Sequence, residues 1–407
     1  MVRVKSCSRF AGVLLALFIS CCMGTLAQST QRAIGMDSLP GDLSVGVVEQ
    51  ILKDHPTPAS LGKWGYTQGL TLYAMEQVFR RTHDARYLRY IQNWADTHVD
   101  ASGKIDAPID TLDDMLPGLL MLSLYQDTGE PRYRNAAQTI RKRLDTYPRT
   151  ADGGLWHGAT NEHQHQLWLD GMFMSMPFLV QYDATFGDRK NASREAAHQL
   201  LIYARHLSDP KTGLLFHAYD ETGTQAWAQP ESHHSSFFWA RSIGWYGVAV
   251  IDVLEVMPKN DPDRAKLITL LRQIVSAIAR FQDQQSGLWY NVVDKGSEPG
   301  NWLETSASAM YIYIVSTAVE HGYVPAANAK VACKGYRGIS AELSASPDGL
   351  VSVANICAGT VVGDLAFYFQ RPRNTNDIHG LGPFLLMNEQ MRKSGCTRQN
   401  ASPVRSH

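Results

Sequence analysis

The chain has 407 residues, of which 44% are hydrophobic and 19% are charged, and this is enough for a large core in one or two domains. Acidic and basic residues nearly balance, which leaves a formal net charge of -1. The balance provides no basic surface for nucleic acid and no acidic interaction arm, so we expect no nucleic-acid partner.

The first 27 residues have the pattern of a signal peptide. Basic residues precede an apolar run over residues 11–20, and small residues precede Gln28 as at a signal-peptidase site. The run is too short to span a bilayer, and no later stretch is long and apolar enough to do so. We therefore expect an exported protein, periplasmic or secreted, without a membrane span. Cys21 and Cys22 leave lipoprotein anchoring as the alternative.

Beyond the signal, the chain is predicted to be helical almost throughout. Residues 28–40 are predicted to be a linker and 394–407 a polar tail, with one domain over 41–393. Within it, amphipathic helices such as 192–207 alternate with more apolar ones such as the helix that contains Leu116 to Leu124. About six such pairs predict an all-α fold, an (α/α)6 barrel of six helical hairpins. A linear helical solenoid is the competing interpretation.

A turn with a glycine followed by apolar or aromatic residues recurs along this domain. It occurs at Gly154–His157, Gly213–His217 and Gly287–Tyr290, more weakly at Gly349–Val351, and in degenerate form at 103–106. The intervals of roughly 50 to 75 residues fit one helical hairpin each. The helix starts that follow these turns carry carboxylates, Trp, His or Arg. Repeated polar helix starts of this kind indicate one shared pocket.

Asp170 is the first candidate for catalysis. It lies in the segment Gln166–Gly171, beside Trp168 and between apolar residues. A carboxylate at a helix start is commonly an N-cap, but apolar walls raise a carboxyl pKa towards values that suit a general acid. The helix N-terminus acts in the opposite direction, so the sequence leaves the direction of the pKa shift open.

Two adjacent carboxylates, Asp113 and Asp114, precede the next apolar helix upstream. One of them is expected to cap the helix, which leaves the other free to face the pocket. Together with Asp170 it would form the carboxylate pair typical of glycosidic chemistry.

Cationic and aromatic residues supply further candidates. Arg241 and Trp245 are four residues apart and share a helix face, so Arg241 is either a stacked structural residue or a fork for a substrate carboxylate. His157 and His217 end two of the repeated turns at matching positions. The sequence has no zinc-ligand spacing, phosphate loop or dinucleotide fingerprint, and we expect neither a metal nor a cofactor.

Three cysteines follow the signal segment: Cys333, Cys357 and Cys396. In an oxidising compartment they allow one disulfide, but the sequence does not select the pair. Buried free thiols are the default expectation for all three.

Several blocks of sequence resemble glycoside hydrolase family 105, the unsaturated rhamnogalacturonyl hydrolases, whose relatives are unsaturated glucuronyl hydrolases. The blocks are Trp64–Gly69, Leu112–Asp114, Trp168–Met174, Trp239–Tyr246 and Glu304–Ala309, and the resemblance extends from about residue 45 to about 392. Ser242–Gly244 departs from the Gly-Asn-Gly expected there. The fold that the resemblance implies is the six-hairpin barrel.

The resemblance also implies a reaction. The substrate would be a short pectic saccharide left by a polysaccharide lyase, which ends in a 4,5-unsaturated uronic acid. Asp170 would protonate the double bond and then activate water. Asp113, its catalytic partner, would hold the ring hydroxyls and tune Asp170 by like-charge repulsion, which raises a neighbouring pKa. The hydrated product would open and release the aglycone. Substrate contacts are assigned to Trp64, Tyr66, His157, Gln166, Trp168, His217, Trp239, Arg241 and Trp245.

Two other functions compete with this hypothesis. A barrel polysaccharide lyase would need a Tyr or His base and a basic cleft for a long polyanion, which the near-neutral charge does not indicate. A non-catalytic sugar-binding barrel would keep the Trp and Arg residues but would not need Asp170. The joint presence of Asp113, Asp170 and Arg241 favours the hydrolase.

Overall fold

The structure, a computed structural model, describes residues 41–160, 162–394 and 396. The predicted signal peptide and linker, and nearly all of the predicted tail, lie outside the described residues. The helices are α1 (Leu43–Asp54), α2 (Tyr66–Thr82), α3 (Ala85–His98), α4 (Pro117–Thr128), α5 (Pro131–Asp145), α6 (Asp170–Phe186), α7 (Arg189–Leu207), α8 (Ala240–Val256), α9 (Arg264–Arg280), α10 (Thr305–Glu320), α11 (Ala329–Ile339), α12 (Leu365–Phe369) and α13 (Ile378–Lys393). In this part of the chain no helix is long and apolar enough to cross a membrane.

Six of these helices form a closed inner ring. In ring order, α2, α4, α6, α8, α10 and α13 each contact the next helix, and α13 returns to α2. The ring confirms the predicted (α/α)6 barrel and excludes a linear solenoid, whose first and last helices do not meet. The outer helices are α1, α3, α5, α7, α9 and α11.

The apolar pattern of each helix explains its layer. The outer helix α5 buries one face, formed by residues three or four apart from Tyr133 to Leu144. The inner helix α6 is buried around nearly its whole circumference from Asp170 to Val180, because it packs against neighbours in both layers. A helix that is apolar all round is stable only when it is enclosed in this way.

The repeated glycine turns form equivalent structures at the ends of the hairpins. The glycines at 103, 153, 213, 287 and 349 all have a left-handed backbone, with φ between 76° and 96°. Only glycine adopts this conformation without steric cost, which explains why the repeat is built on it. In the second copy the left-handed residue is Gly153, one position before the predicted Gly154. Short antiparallel bridges, such as Arg149 with Leu155 and Ser208 with Leu215, close these turns.

Strands are few and short in the described residues. They form three antiparallel pairs: β1 (Gln166–Trp168) with β2 (Ala218–Asp220), β3 (Leu343–Ala345) with β4 (Val351–Val353), and β5 (Ile356–Cys357) with β6 (Arg373–Asn374). The first pair aligns Trp168 with Ala218 and so joins the loops that lead into α6 and α8.

Within the described residues a disulfide joins Cys333 to Cys396, whose Cα atoms are 5.3 Å apart. It ties α11 to a residue just beyond α13. Cys357 is buried and free. The expectation of free buried thiols is therefore wrong for two of the three cysteines, because the pair is 63 residues apart in sequence and is brought together only by the barrel.

Candidate active site

The candidate site lies where the N-terminal ends of the inner helices meet. Tyr66 begins α2, Asp170 begins α6, and Arg241 lies in the first turn of α8. Asp113 begins a single 3₁₀ turn, Asp113–Met115, directly before α4. Since each inner helix starts at the same end of the barrel, residues far apart in sequence become neighbours there.

Asp170 is buried at the start of α6, with 9% of its surface exposed. Its Oδ2 atom lies 3.3 Å from Nε2 of His217, although the contact is not aligned for a hydrogen bond. The backbone holds the two residues together, because the amide of Leu169 donates to the His217 carbonyl. Asp170 Oδ2 and His217 Nε2 have no hydrogen-bond partner among the described residues. Buried polar atoms without partners are unusual in proteins and mark a place prepared for a polar ligand.

The two adjacent carboxylates have different roles in the structure. Asp114 Oδ2 accepts from the amide and hydroxyl of Thr111, both at 2.8 Å, and from the amide of Asp110. Asp114 therefore fixes the turn that precedes it. The expectation that one of the two carboxylates caps the helix is wrong, because neither the 3₁₀ turn nor α4 has a side-chain cap. Asp113 has a buried Oδ1 atom without a partner in the described part of the chain. Burial, and then the charges of Asp170 and Asp114, raise the pKa of Asp113 to about 8.

This result places a proton on Asp113 in the resting state. The sequence-based hypothesis was that Asp113 would tune Asp170 by like-charge repulsion. In the structure the charge of Asp170 is one of the causes that raise the pKa of Asp113. The pair resembles other carboxylate pairs in which one member stays protonated because two adjacent charges cannot both be desolvated.

A stacked aromatic wall stands beside the carboxylates. The rings of His157 and Trp168 lie parallel, 4.6 Å apart, and the ring of His163 meets both edge-on. Burial, and then the neighbouring His163, lower the pKa of His157 to about 3, so this imidazole is neutral. Gln166 accepts from the Trp168 indole at 2.8 Å and donates to the carbonyl of Glu162. Gln166 therefore positions the wall.

A second wall comes from α2 and α8. Tyr66 meets the ring of Trp245 edge-on at 6.3 Å, and Trp245 stacks on Phe173 at 5.1 Å. Burial raises the pKa of Tyr66, so that its hydroxyl keeps its proton and can donate to a ligand. Tyr66 also contacts His379 of α13, whose ring is fixed by Asp377 at 2.5 Å.

Arg241 is engaged mainly by the protein itself. It is 1% exposed, and its guanidinium donates to the carbonyls of Cys357 and Ala358 and to Ser306. It also lies over the ring of Trp239, which is itself 1% exposed. Arg241 therefore holds the chain in place at the end of β5. Its positive charge also interacts electrostatically with Tyr66 and Asp170 in the pocket.

Trp64 is the predicted site residue that the structure places outside the cluster. Its ring stacks on Trp94 at 5.9 Å, and its indole donates to the carbonyl of Asp114 at 2.8 Å. It supports the turn that presents Asp113. The other predicted site residues either lie in the cluster at the helix starts or contact a residue of that cluster. Their catalytic and binding roles stay predictions.

Sequence reasoning assigned no role to four contributors to the site: His163, Tyr368, Asp377 and His379. His163 has an unpartnered buried Nδ1 within the described residues, and Asp377 fixes His379 beside Tyr66. Tyr368 places its hydroxyl 2.7 Å from Nδ1 of His217. The helix start at Asp377–His379 gave a signal in the sequence, whereas Tyr368 lies in a segment without any recognisable motif.

Comparisons with known proteins agree with this fold. The family model described as Glycosyl Hydrolase Family 88 matches residues 44–394. A glycoside hydrolase from family 105 of C. acetobutylicum has a similar structure, with a TM-score of 0.83 and 35% identity, and the match covers 86% of this chain and 99% of that one.

Two curated proteins are also similar. Protein Atu3128 of Agrobacterium fabrum is 33% identical over 229 residues, which are 52% of this chain and 96% of that protein. Unsaturated rhamnogalacturonyl hydrolase YesR of Bacillus subtilis is 26% identical over 250 residues, which are 60% of this chain and 68% of that protein.

Proposed function

The chain belongs to glycoside hydrolase family 105, within the group that the family 88 model describes, and on this premise we propose that it hydrolyses unsaturated pectic saccharides. The substrate is a short rhamnogalacturonan fragment left by a polysaccharide lyase. The enzyme removes the 4,5-unsaturated uronic acid from its non-reducing end. The name of the Bacillus subtilis relative supports the rhamnogalacturonyl specificity.

The observation that carries the proposal is the buried pair of carboxyls, Asp113 and Asp170. Within the described residues each has an oxygen without a partner, and Nε2 of His217, beside Asp170, has none either. An unsaturated uronic acid contains a vinyl ether, which needs a proton on carbon and then water on the adjacent carbon. A carboxyl that donates a proton and afterwards accepts one from water can perform both steps. The resulting hemiketal opens and releases the aglycone.

One proton shared by the pair suits this sequence of steps. In the resting enzyme the raised pKa of Asp113 keeps that proton in the pocket up to about pH 8. Asp170, beside His217, is the member that we assign to deliver the proton to the sugar and then to activate water. Asp113 stores the proton and passes it to Asp170 for delivery, and the proton that Asp170 later accepts from water returns to Asp113. Asp113 also holds the ring hydroxyls. The aromatic walls at Trp168 and Trp245 enclose the sugar ring and exclude bulk water.

A panel of lyase-generated disaccharides tests the specificity. We expect the ultraviolet absorbance of the conjugated double bond to disappear fastest when the aglycone is rhamnose. Faster turnover of a disaccharide from a glycosaminoglycan would instead assign the chain to the unsaturated glucuronyl hydrolases. Growing absorbance on an intact polysaccharide would identify a lyase, and binding without turnover would identify a sugar-binding barrel.

We further propose that the protein is exported, with residues 1–27 removed. The disulfide between Cys333 and Cys396 supports this, since such bonds persist in oxidising compartments. The mass of the protein recovered outside the cytoplasm should correspond to a chain that begins at Gln28. A mass that corresponds to a lipid-modified Cys21 or Cys22 would favour the lipoprotein alternative.

A further inference from the structure

Tyr368 connects a remote segment of the chain to the candidate site. It lies in α12, between β5 and β6, and is fully buried. Its hydroxyl is 2.7 Å from Nδ1 of His217, a residue 151 positions earlier in the chain. The opposite ring nitrogen of His217, Nε2, is the one that lies 3.3 Å from Asp170. Tyr368, His217 and Asp170 thus form a continuous row that ends in the pocket.

The surroundings of the Tyr368 hydroxyl favour one placement of the hydrogen atoms in this row. The amide of Gly363 donates to the Tyr368 oxygen at 3.4 Å, so this oxygen already accepts one bond. Burial raises the pKa of Tyr368, and the hydroxyl therefore keeps its proton. That proton is available for Nδ1 of His217, and we assign Nδ1 as its acceptor. A neutral imidazole that accepts at Nδ1 carries its hydrogen on Nε2.

The surroundings hold both rings in place. The amide group of Asn291 donates to the Tyr368 carbonyl at 2.8 Å and accepts from the Trp239 indole at 3.0 Å. Trp239 packs against the His217 ring with a centroid distance of 4.7 Å. Asn291 therefore joins the two aromatic residues that flank His217, and the imidazole has little freedom to rotate.

We propose that Tyr368 is a positioning residue that fixes His217 in the Nε2–H tautomer and so presents a hydrogen-bond donor beside the Asp170 carboxyl. The inference rests on the proposed function, since it concerns the same carboxyl. In the other tautomer a lone pair on Nε2 would face the Asp170 carboxylate, and the two would repel. The donor orients Asp170 for delivery of its proton and stabilises the carboxylate that remains afterwards. Loss of a group that sets a catalytic tautomer lowers kcat while leaving the geometry of the site intact.

The first test is the variant Tyr368→Phe, assayed on the unsaturated disaccharide that the wild type turns over best. We expect kcat to fall by at least about 10-fold with KM within about twofold, because a histidine in the wrong tautomer impairs catalysis more than binding. Tyr246→Phe is the matched control, because Tyr246 is also fully buried and its hydroxyl donates to the carbonyl of Leu200 outside the site. This control should lose comparable stability and keep wild-type kcat.

The second test separates positioning from general support. In a His217→Gln background, adding Tyr368→Phe should leave kcat unchanged, since the tyrosine acts only through the imidazole. A further loss of tenfold or more in that background would overturn the proposal. An unaltered kcat in the Tyr368→Phe single variant would overturn it as well.

The third test does not depend on substrate. Nitrogen NMR of histidine-labelled protein, with His217→Gln used to assign the signal, should show the Nε2–H tautomer in the wild type and a population of the Nδ1–H tautomer in Tyr368→Phe. A wild-type Nδ1–H tautomer would refute the inference even if the enzyme is active. An Nε2–H tautomer in a protein without activity on any unsaturated saccharide would refute the proposed function and leave the row intact.

Discussion

Replacement of Asp113 by Asn tests whether the Asp113 carboxyl holds a proton that the reaction needs. The pKa of Asp113 rises from 3.8 to about 8. A pKa shift of about four units, at about 1.4 kcal/mol per unit, sets an upper limit of about 6 kcal/mol on the free-energy cost of ionising Asp113 in the folded protein. Solvent access to the pocket lowers the expected cost to about 1–3 kcal/mol. In the wild type, activity that needs this proton is present below about pH 8 and falls tenfold per unit above it.

Stability should depend on pH in the same window. A carboxyl whose pKa is raised by folding binds its proton more tightly in the folded state. Its contribution to stability is therefore fully present below the unfolded pKa of about 3.9 and is lost as the pH rises through about 8. Asp113→Asn should be more stable than the wild type above about pH 8, because no buried charge develops.

The assay is a pH profile of kcat/KM on the unsaturated disaccharide, together with thermal unfolding at each pH. Asp113→Asn should lower the maximal kcat/KM by about 10²–10⁴-fold. It should also abolish the alkaline break, the fall in kcat/KM above about pH 8. Asp183→Asn is the control, because Asp183 is also buried with a raised pKa but pairs with Arg141 outside the site. It should keep the break. A break near pH 8 that persists in Asp113→Asn would refute the assignment of the proton.

Three further outcomes follow from the site and its supports. Asp170→Asn should reduce kcat by about 10²–10⁴-fold with an unchanged melting temperature, and near-wild-type activity would exclude it as the acid. Arg241→Lys should lower stability by about 2–4 kcal/mol in denaturant unfolding, because the carbonyls of Cys357 and Ala358 lose a forked donor; a variant as stable as the wild type would show that these hydrogen bonds are dispensable. Cys333→Ser should cost at most about 4 kcal/mol for a loop of 63 residues while activity at low temperature is retained, and a loss of activity without a loss of stability would contradict this.

The parts of the fold that the sequence predicted are those set by local patterns. Alternation of amphipathic and apolar helices is a property of short segments, and so is the glycine that each left-handed turn requires. These patterns predicted the inner and outer layers and the repeat at Gly213 and Gly287. Because every inner helix starts at one end of the barrel, they also predicted that Asp113 and Asp170 would be neighbours, whereas the place of His217 in the pocket was implied by the family resemblance.

The parts that escaped prediction depend on contacts between distant segments. Nothing near Tyr368 in the sequence indicates that its hydroxyl meets His217. The pairing of Cys333 with Cys396 likewise depends on the distance between α11 and the end of α13. For Arg241 the sequence left a structural role and a substrate fork open. The structure adds the carbonyls that the guanidinium binds, which no side-chain pattern encodes.

The most direct test of the central claim compares two disaccharides that differ only in the double bond of the terminal uronic acid. Hydration of a vinyl ether requires that bond, because the proton from the carboxyl pair is delivered to one of its carbons. The purified protein should release the aglycone from the unsaturated disaccharide, with loss of its ultraviolet absorbance, and should leave the saturated one intact. Efficient cleavage of the saturated disaccharide would contradict the account and assign Asp113 and Asp170 to an ordinary two-carboxylate glycosidase.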